Sequence, residues 1–102
     1  MPRKAKKYED DLLERLRDRE YAAEYLNGVL EDEGADQQER FLVALRDIAK
    51  AYGMTNLAED TELAREAMYR TLSKDGNPRL TTLLSLLDAL ELKLSVTTKR
   101  AS

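Results

Sequence analysis

Residues 54–73, MTNLAEDTELAREAMYRTLS, decide the fold, because they place two short amphipathic segments one after the other. In each segment the apolar residues recur at helical spacing, and polar residues fill the positions between them. Two short helices that cross closely need a small residue where they touch, and Ala58 meets that need. The stretch therefore predicts a helix-turn-helix. The residues predicted to lock its two helices together are Leu57, Leu63, Met68 and Leu72.

The second helix of this pair is predicted to expose a polar face. Arg65 and Arg70 can form paired hydrogen bonds with a guanine edge or bind phosphates, and Tyr69 can contact a thymine methyl group. Any one of these charges alone is explained at least as well by a solvated helix face with ion pairs, so the prediction depends on the whole set. The residues predicted to contact DNA are Thr55, Asn56, Ala64, Arg65, Glu66, Tyr69, Arg70, Ser73, Lys74, Asn77 and Arg79.

Helix signals flank this stretch on both sides. Upstream, an amphipathic run predicts a helix over 37–52, with Asp36 as its N-cap in a capping box and Gly53 as its C-cap. The helix after Gly53 is expected to be capped by Thr55. Downstream, residues 75–78, Asp-Gly-Asn-Pro, form a strong turn signal, and Thr81 or Thr82 is expected to open another helix.

The N-terminal third of the chain is strongly charged. Residues 1–7 carry four basic and no acidic groups, whereas residues 8–35 carry ten acidic and three basic groups. Two apolar groupings at helical spacing predict two helices in residues 8–35, separated near Asp18, with Gly34 ending the second. An acidic helical surface is either a solvated hairpin packed on the core or a cover for a basic protein partner. The residues predicted to contact such a partner are Leu12, Leu13, Leu16 and Tyr25.

The end of the chain changes its period. Apolar and polar residues alternate over 92–97, which is the spacing of a strand. A lone strand leaves its backbone groups unpaired, so either this tail is irregular or its partner strand lies in a second copy. The residues predicted to form a dimer interface are Leu92, Leu94 and Val96.

Composition narrows the class of protein. The chain of 102 residues has 42% hydrophobic and 36% charged residues, rich in helix formers and without cysteine or histidine. Disulfides, thiolate nucleophiles and the commonest general base are therefore absent, which argues against an enzyme. We expect no cofactor, no metal, no small-molecule substrate, no membrane segment, and a cytoplasmic location.

The sequence thus predicts an all-α protein in four parts. These are a disordered basic tail over 1–7, an acidic helical region over 8–35, a helix-turn-helix domain over 36–98, and a tail over 99–102.

Several segments also resemble a known family. They are YAAEYLN (21–27), FLVALRDIA (41–49), NLAE (56–59), REAMYRTLS (65–73), GNP (76–78) and LDALELKLSV (87–96). Together they are similar to the addiction-module antidote proteins, a HigA-like branch of the Xre/Cro repressor superfamily. Ala64 departs from that pattern, which usually has serine there.

The resemblance implies an Xre/lambda-repressor-like bundle that binds an operator in double-stranded DNA as a homodimer, and a toxin partner of the RelE/ParE type. It favours an antitoxin of a type II toxin–antitoxin module that represses its own operon. Two alternatives remain open. One is a stand-alone Xre-family prophage regulator without a toxin, and the other is a protein-binding adaptor that has lost DNA contact.

Overall fold

A computed structural model of the chain describes residues 3–61, 65–73 and 75–99, with side chains over 7–59, 68–73 and 75–99. Every regular element in these residues is a helix, so the predicted all-α class is confirmed. The helices are α1 (Arg3–Leu16), α2 (Arg19–Glu31), α3 (Gln37–Tyr52), α4 (Met54–Thr61), α5 (Arg65–Thr71) and α6 (Leu80–Ala89).

The first three helices pack against one another in pairs. Asp18 separates α1 from α2 as an N-cap, because its carboxylate accepts a hydrogen bond of 3.0 Å from the amide of Glu20. Arg3–Lys7, predicted to be a disordered tail, form the first part of α1. The acidic region is therefore a helical hairpin whose apolar side packs on α3.

The connection from α2 to α3 is tied by side chains of α3. The predicted end of α2 at Gly34 is wrong, since the helix ends at Glu31. Beyond that point, Gln37 Nε2 donates to the carbonyl of Leu30 at 2.8 Å, and Arg40 Nη2 donates to the carbonyl of Asp32 at 2.8 Å. These bonds satisfy carbonyls that a helix end leaves without intrahelical partners.

α3 has the predicted bounds, but its first turn is not capped in the predicted way. The Asp36 side chain makes no capping hydrogen bond, so the predicted capping box is wrong. Its carboxylate instead accepts from Arg40 Nε at 3.0 Å, four residues along the chain. At the other end, Gly53 donates its amide to the carbonyl of Ala49 at 2.9 Å and has a φ of 112°. Side chains are rarely tolerated at that φ, which explains why glycine ends α3.

α4 follows after a single residue. The amide of Leu57 donates to the carbonyl of Gly53 at 3.0 Å, so Met54 begins the helix. Thr55 therefore lies inside the first turn, and its predicted role as an N-cap is wrong. α4 contacts α3, α5 and α6, which places it at the centre of the C-terminal half.

α6 begins at Leu80, one residue before the earlier of its two predicted starts. It ends through Glu91, whose φ is 60°, and the amide of Leu92 donates to the carbonyl of Leu87 at 2.8 Å. Residues 92–99 then continue without regular structure. The predicted C-terminal strand is wrong, because no other part of the described chain supplies a ladder to pair with it.

One core runs through both halves of the molecule. All six helices contribute to a single cluster of buried apolar residues. No charged or polar residue is buried in the described part of the chain. Nor is any of the described helices long and apolar enough to cross a membrane. The largest fully buried side chains among the described residues are Leu45, Leu57, Met68, Leu72 and Leu86.

Candidate nucleic-acid interface

α4 and α5 form a pair of short helices separated by three residues. Leu57 on α4 and Met68 on α5 have no exposed surface, and Leu72 just after α5 is equally buried. Ala58 is half-buried and packs against this core. The apolar positions predicted to lock the pair are thus buried, except Leu63, which lies outside the described residues.

Among the described side chains of α5, fewer are exposed than the sequence predicted. Arg70 is exposed, but Tyr69 is half-buried against the core. Ser73 is also half-buried, and its hydroxyl donates to the carbonyl of Arg70 at 2.9 Å. The hydroxyl proton is therefore used within the chain at the end of α5, and the predicted DNA contact of Ser73 stays a prediction. Arg65 and Glu66 belong to α5 by their backbone, and their side chains lie outside the described residues, as do Ala64 and Lys74.

Polar residues on neighbouring segments remain accessible. Thr55 and Asn56 are exposed in the first turn of α4, and Asn77 and Arg79 are exposed in the segment that leads into α6. Each has a side chain free to face solvent, as a DNA contact requires. The amide of Gly76 donates to the carbonyl of Ser73 at 2.9 Å, which closes a turn that ends at Gly76, earlier than the turn predicted over 75–78.

Arg46 on α3 is a residue that the sequence analysis missed. Its guanidinium lies over the ring of Tyr69, with Cζ 5.7 Å from the ring centroid. The contact joins the N-terminal helices to α5 and holds Tyr69 against the core. No pattern in the sequence indicated it, because a single arginine in the interior of an amphipathic helix has the pattern of an ordinary solvated residue.

The residues predicted to form a dimer interface differ in how exposed they are. Leu92 packs against the core, as an apolar residue just after a helix end commonly does. Leu94 and Val96 remain exposed, at 43% and 92%. On α6, Leu80 and Leu84 are exposed as well, at 63% and 42%.

The residues predicted to contact a protein partner are buried or half-buried within the chain. Leu16 is only 3% exposed and belongs to the core, so its surface is closed to a partner. Leu12 packs on that core and Leu13 is half-buried. Tyr25 is half-buried, and its hydroxyl donates to Asp47 Oδ2 at 3.2 Å.

Burial shifts the pKa of both groups in the Tyr25–Asp47 pair. Burial, together with the negative charge of Asp47, raises the pKa of Tyr25 to about 12. Burial also raises the pKa of the Asp47 carboxyl above its usual value, against the opposing effects of the Tyr25 hydrogen bond and the Lys50 charge. Asp47 is therefore a partly desolvated acid on the α2–α3 side of the molecule.

Comparison with known proteins identifies relatives. A family model described as "Probable addiction module antidote protein" matches residues 6–98. An uncharacterized protein of Haemophilus influenzae is 38% identical over 90 residues, which cover 88% of this chain and 90% of the relative. No solved structure gives a significant match to the chain.

Proposed function

We propose that the chain is an antitoxin which also binds DNA. This proposal starts from its family, because the chain belongs to the probable addiction module antidote proteins. In this proposal it neutralises a toxin of the RelE/ParE type and represses its own operon. It belongs to the HigA-like branch of the Xre superfamily and acts in the cytoplasm as a homodimer, without enzymatic activity of its own.

The observation that carries the DNA-binding part is the burial pattern of α4 and α5. Leu57, Met68 and Leu72 hold the two helices together, while Arg70 stays exposed. A helix-turn-helix needs this division, because its second helix must be fixed by its apolar side and present its polar side to the major groove. Thr55 and Asn56, exposed at the start of α4, suit contact with a phosphate.

A homodimer follows from the size of the surface. One small module buries too little area on DNA for tight specific binding, whereas two modules about one helical turn apart supply enough. Exposed apolar residues near the C-terminus are available for such a contact. They are Leu80, Leu84, Leu94 and Val96.

The charge of the helix pair supports a second candidate function. Residues 54–79 contain four basic and five acidic residues, so this region lacks the positive excess usual for nucleic-acid binders. A protein-binding adaptor that keeps the helix pair but has lost DNA contact would show this balance. Salt dependence separates the two functions, because binding through phosphates weakens steeply as salt rises.

The test is co-expression of the chain with the product of the adjacent gene, followed by co-purification and a mobility-shift titration on the promoter fragment. An antitoxin rescues growth, co-purifies with its neighbour and shifts the fragment. A shift without rescue or co-purification would indicate a stand-alone regulator. Rescue and co-purification without a shift would indicate the adaptor and exclude self-repression by this chain.

A further inference from the structure

An open apolar groove runs between α2 and α3. It has a volume of about 390 Å³ and is lined by Tyr25 and Val29 from α2 and by Val43 and Ala44 from α3. Val43 is 43% exposed, although it lies on α3, which supplies more buried core residues than any other described helix. The groove is therefore an apolar surface that the described part of the chain leaves uncovered.

Gly28 lies in the interior of α2. It follows Tyr25 by three residues and directly precedes Val29, and both of these residues line the groove. A methyl group built on Gly28 would meet no atom within 4 Å, and its φ is not positive. Neither backbone conformation nor packing within the chain requires glycine here, although glycine weakens a helix relative to alanine. A bare helix surface of this kind allows a second backbone to approach closely.

The surroundings of the groove are acidic. Residues 20–35 contain five carboxylates and no lysine or arginine. Arg40 lines the groove, but its guanidinium binds the carboxylates of Asp32 at 3.1 Å and Asp36 at 3.0 Å. Glu39 is exposed at the rim, and the carboxylate of Asp47 lies where Tyr25 meets α3. Glu39 at the rim and the carboxylates of Asp32, Asp36 and Asp47 nearby favour a ligand that combines apolar side chains with positive charge.

We propose that the α2–α3 groove binds a basic amphipathic helix of the toxin, an inference that rests on the proposed function. The apolar side of that helix fills the space between Tyr25, Val29 and Val43. Its backbone approaches α2 at Gly28, and its lysines and arginines face the carboxylates around the rim. This surface replaces the one predicted around Leu16, which the core has taken up.

The first test uses three variants and, as the probe, the purified product of the adjacent gene. We expect Gly28→Trp to lower affinity at least about 100-fold, because a large side chain fills the contact. Gly28→Ala should lower affinity about threefold to tenfold while raising Tm, since alanine favours the helix. A folding defect cannot produce that pair of opposite effects. Asn27→Trp is the matched control, because Asn27 is exposed on α2 but lines a different surface, and it should change affinity less than about twofold.

The outcomes separate the two proposals. If the unaltered chain binds the probe and Gly28→Trp binds it equally well, the groove proposal is overturned and the antitoxin proposal stands. No binding by the unaltered chain overturns both. Sedimentation of the chain alone is the remaining control. A dimer that Gly28→Trp dissociates would show that a second copy fills the groove, which also overturns a toxin helix as its occupant.

A charge-reversal pair tests the chemistry of the ligand. Glu39→Lys, at the rim, should lower affinity for the same probe about tenfold at low salt, with a smaller loss at high salt. Asp88→Lys changes the net charge equally at an exposed position on α6 and should lower affinity less than about twofold. Equal losses in the two variants would indicate only long-range attraction and would overturn a charged rim that contacts the ligand.

Discussion

The guanidinium of Arg46 covers the ring of Tyr69, 5.7 Å from its centroid, and links α3 to α5. The Nε atom of Arg46 is buried and has no hydrogen-bond partner among the described residues. The aromatic face is thus the favourable contact that offsets the partial desolvation of this cation. The orientation of the candidate recognition helix therefore depends on a residue outside the helix pair.

Removing that cation should destabilise the fold. We expect Arg46→Met to lower the free energy of unfolding by about 0.5–2 kcal/mol, because the cation–π contact is lost. Urea denaturation followed by circular dichroism measures the change. Arg70→Met is the matched control, since Arg70 is exposed on α5, and it should cost less than about 0.5 kcal/mol. Equal effects of the two substitutions would show that Arg46 contributes no specific contact.

The raised pKa of Tyr25 predicts a loss of stability in alkali. Well below pH 10.0, the pKa of tyrosine in the unfolded chain, the phenol is neutral in both the folded and the unfolded chain. As pH rises from 10.0 to about 12, the unfolded chain loses the proton first, so folding becomes less favourable. Tyr25→Phe should abolish this part of the alkaline loss, at a cost of about 0.5–1.5 kcal/mol near neutral pH for the missing hydrogen bond. Denaturation midpoints across that pH range measure both effects, and an unchanged alkaline slope would contradict the assignment.

The raised pKa of Asp47 predicts that its contribution to stability becomes more favourable as pH falls into the acid range. Because the fold favours the protonated carboxyl, the ionised form costs stability at neutral pH, and that cost disappears as pH falls through the raised pKa. Asp47→Asn keeps an acceptor for the Tyr25 hydroxyl without the charge, so stability at neutral pH should be unchanged or higher by up to about 1 kcal/mol. Asp47→Ala should be less stable than Asp47→Asn, and the reverse order, measured by thermal unfolding, would refute the role of this acceptor.

Two leucines of α6 test the extent of the core. Leu86 has no exposed surface, whereas Leu80 is 63% exposed on the same helix. Leu86→Ala should lower the free energy of unfolding by about 2–5 kcal/mol, through lost burial and the cavity left behind. Leu80→Ala should cost less than about 0.5 kcal/mol in the monomer. A large effect at Leu80 that grows with protein concentration would instead place this residue in a dimer contact.

Arg70 tests the DNA-binding part of the proposal. If it reads a base, Arg70→Ala should weaken operator binding by about 1–3 kcal/mol and relax the preference at one base pair. If it binds a phosphate, binding weakens equally on all sequences and the salt slope falls by about 1. Arg17→Ala is the control, because Arg17 is exposed in the turn between α1 and α2. Mobility-shift titrations in which both variants bind like the unaltered chain would remove Arg70 from the interface.

The bounds of α3 could be predicted from the sequence because two strong signals agree there. A continuous apolar face defines the helix, and Gly53 supplies a conformation that other residues resist. The start of the same helix shows the limit of such signals. Asp36 has the residue type of a cap, but Arg40 competes for its carboxylate. Sequence pattern cannot decide between two partners that are both within reach.

The candidate site was only partly predictable for a similar reason. Spacing identifies which residues of α5 can be polar and exposed, and Arg70 fits that prediction. It does not reveal that Arg46 approaches Tyr69 from α3, because that contact depends on how two halves of the chain pack. The predicted C-terminal strand is absent because no described segment lies alongside it as a second strand. Alternation of apolar and polar residues describes only a side-chain pattern and does not show whether such a strand is present.

The joint at Gly53 has a consequence for how the two halves of the molecule can vary. α3 and α4 share no loop that could absorb a change in length, because Gly53 is the sole residue between them. Met54 and Leu57, which follow Gly53 on α4, are both buried in the core. An inserted or deleted residue at this joint would therefore displace the apolar side of α4, together with α5, relative to the core that they share with α3.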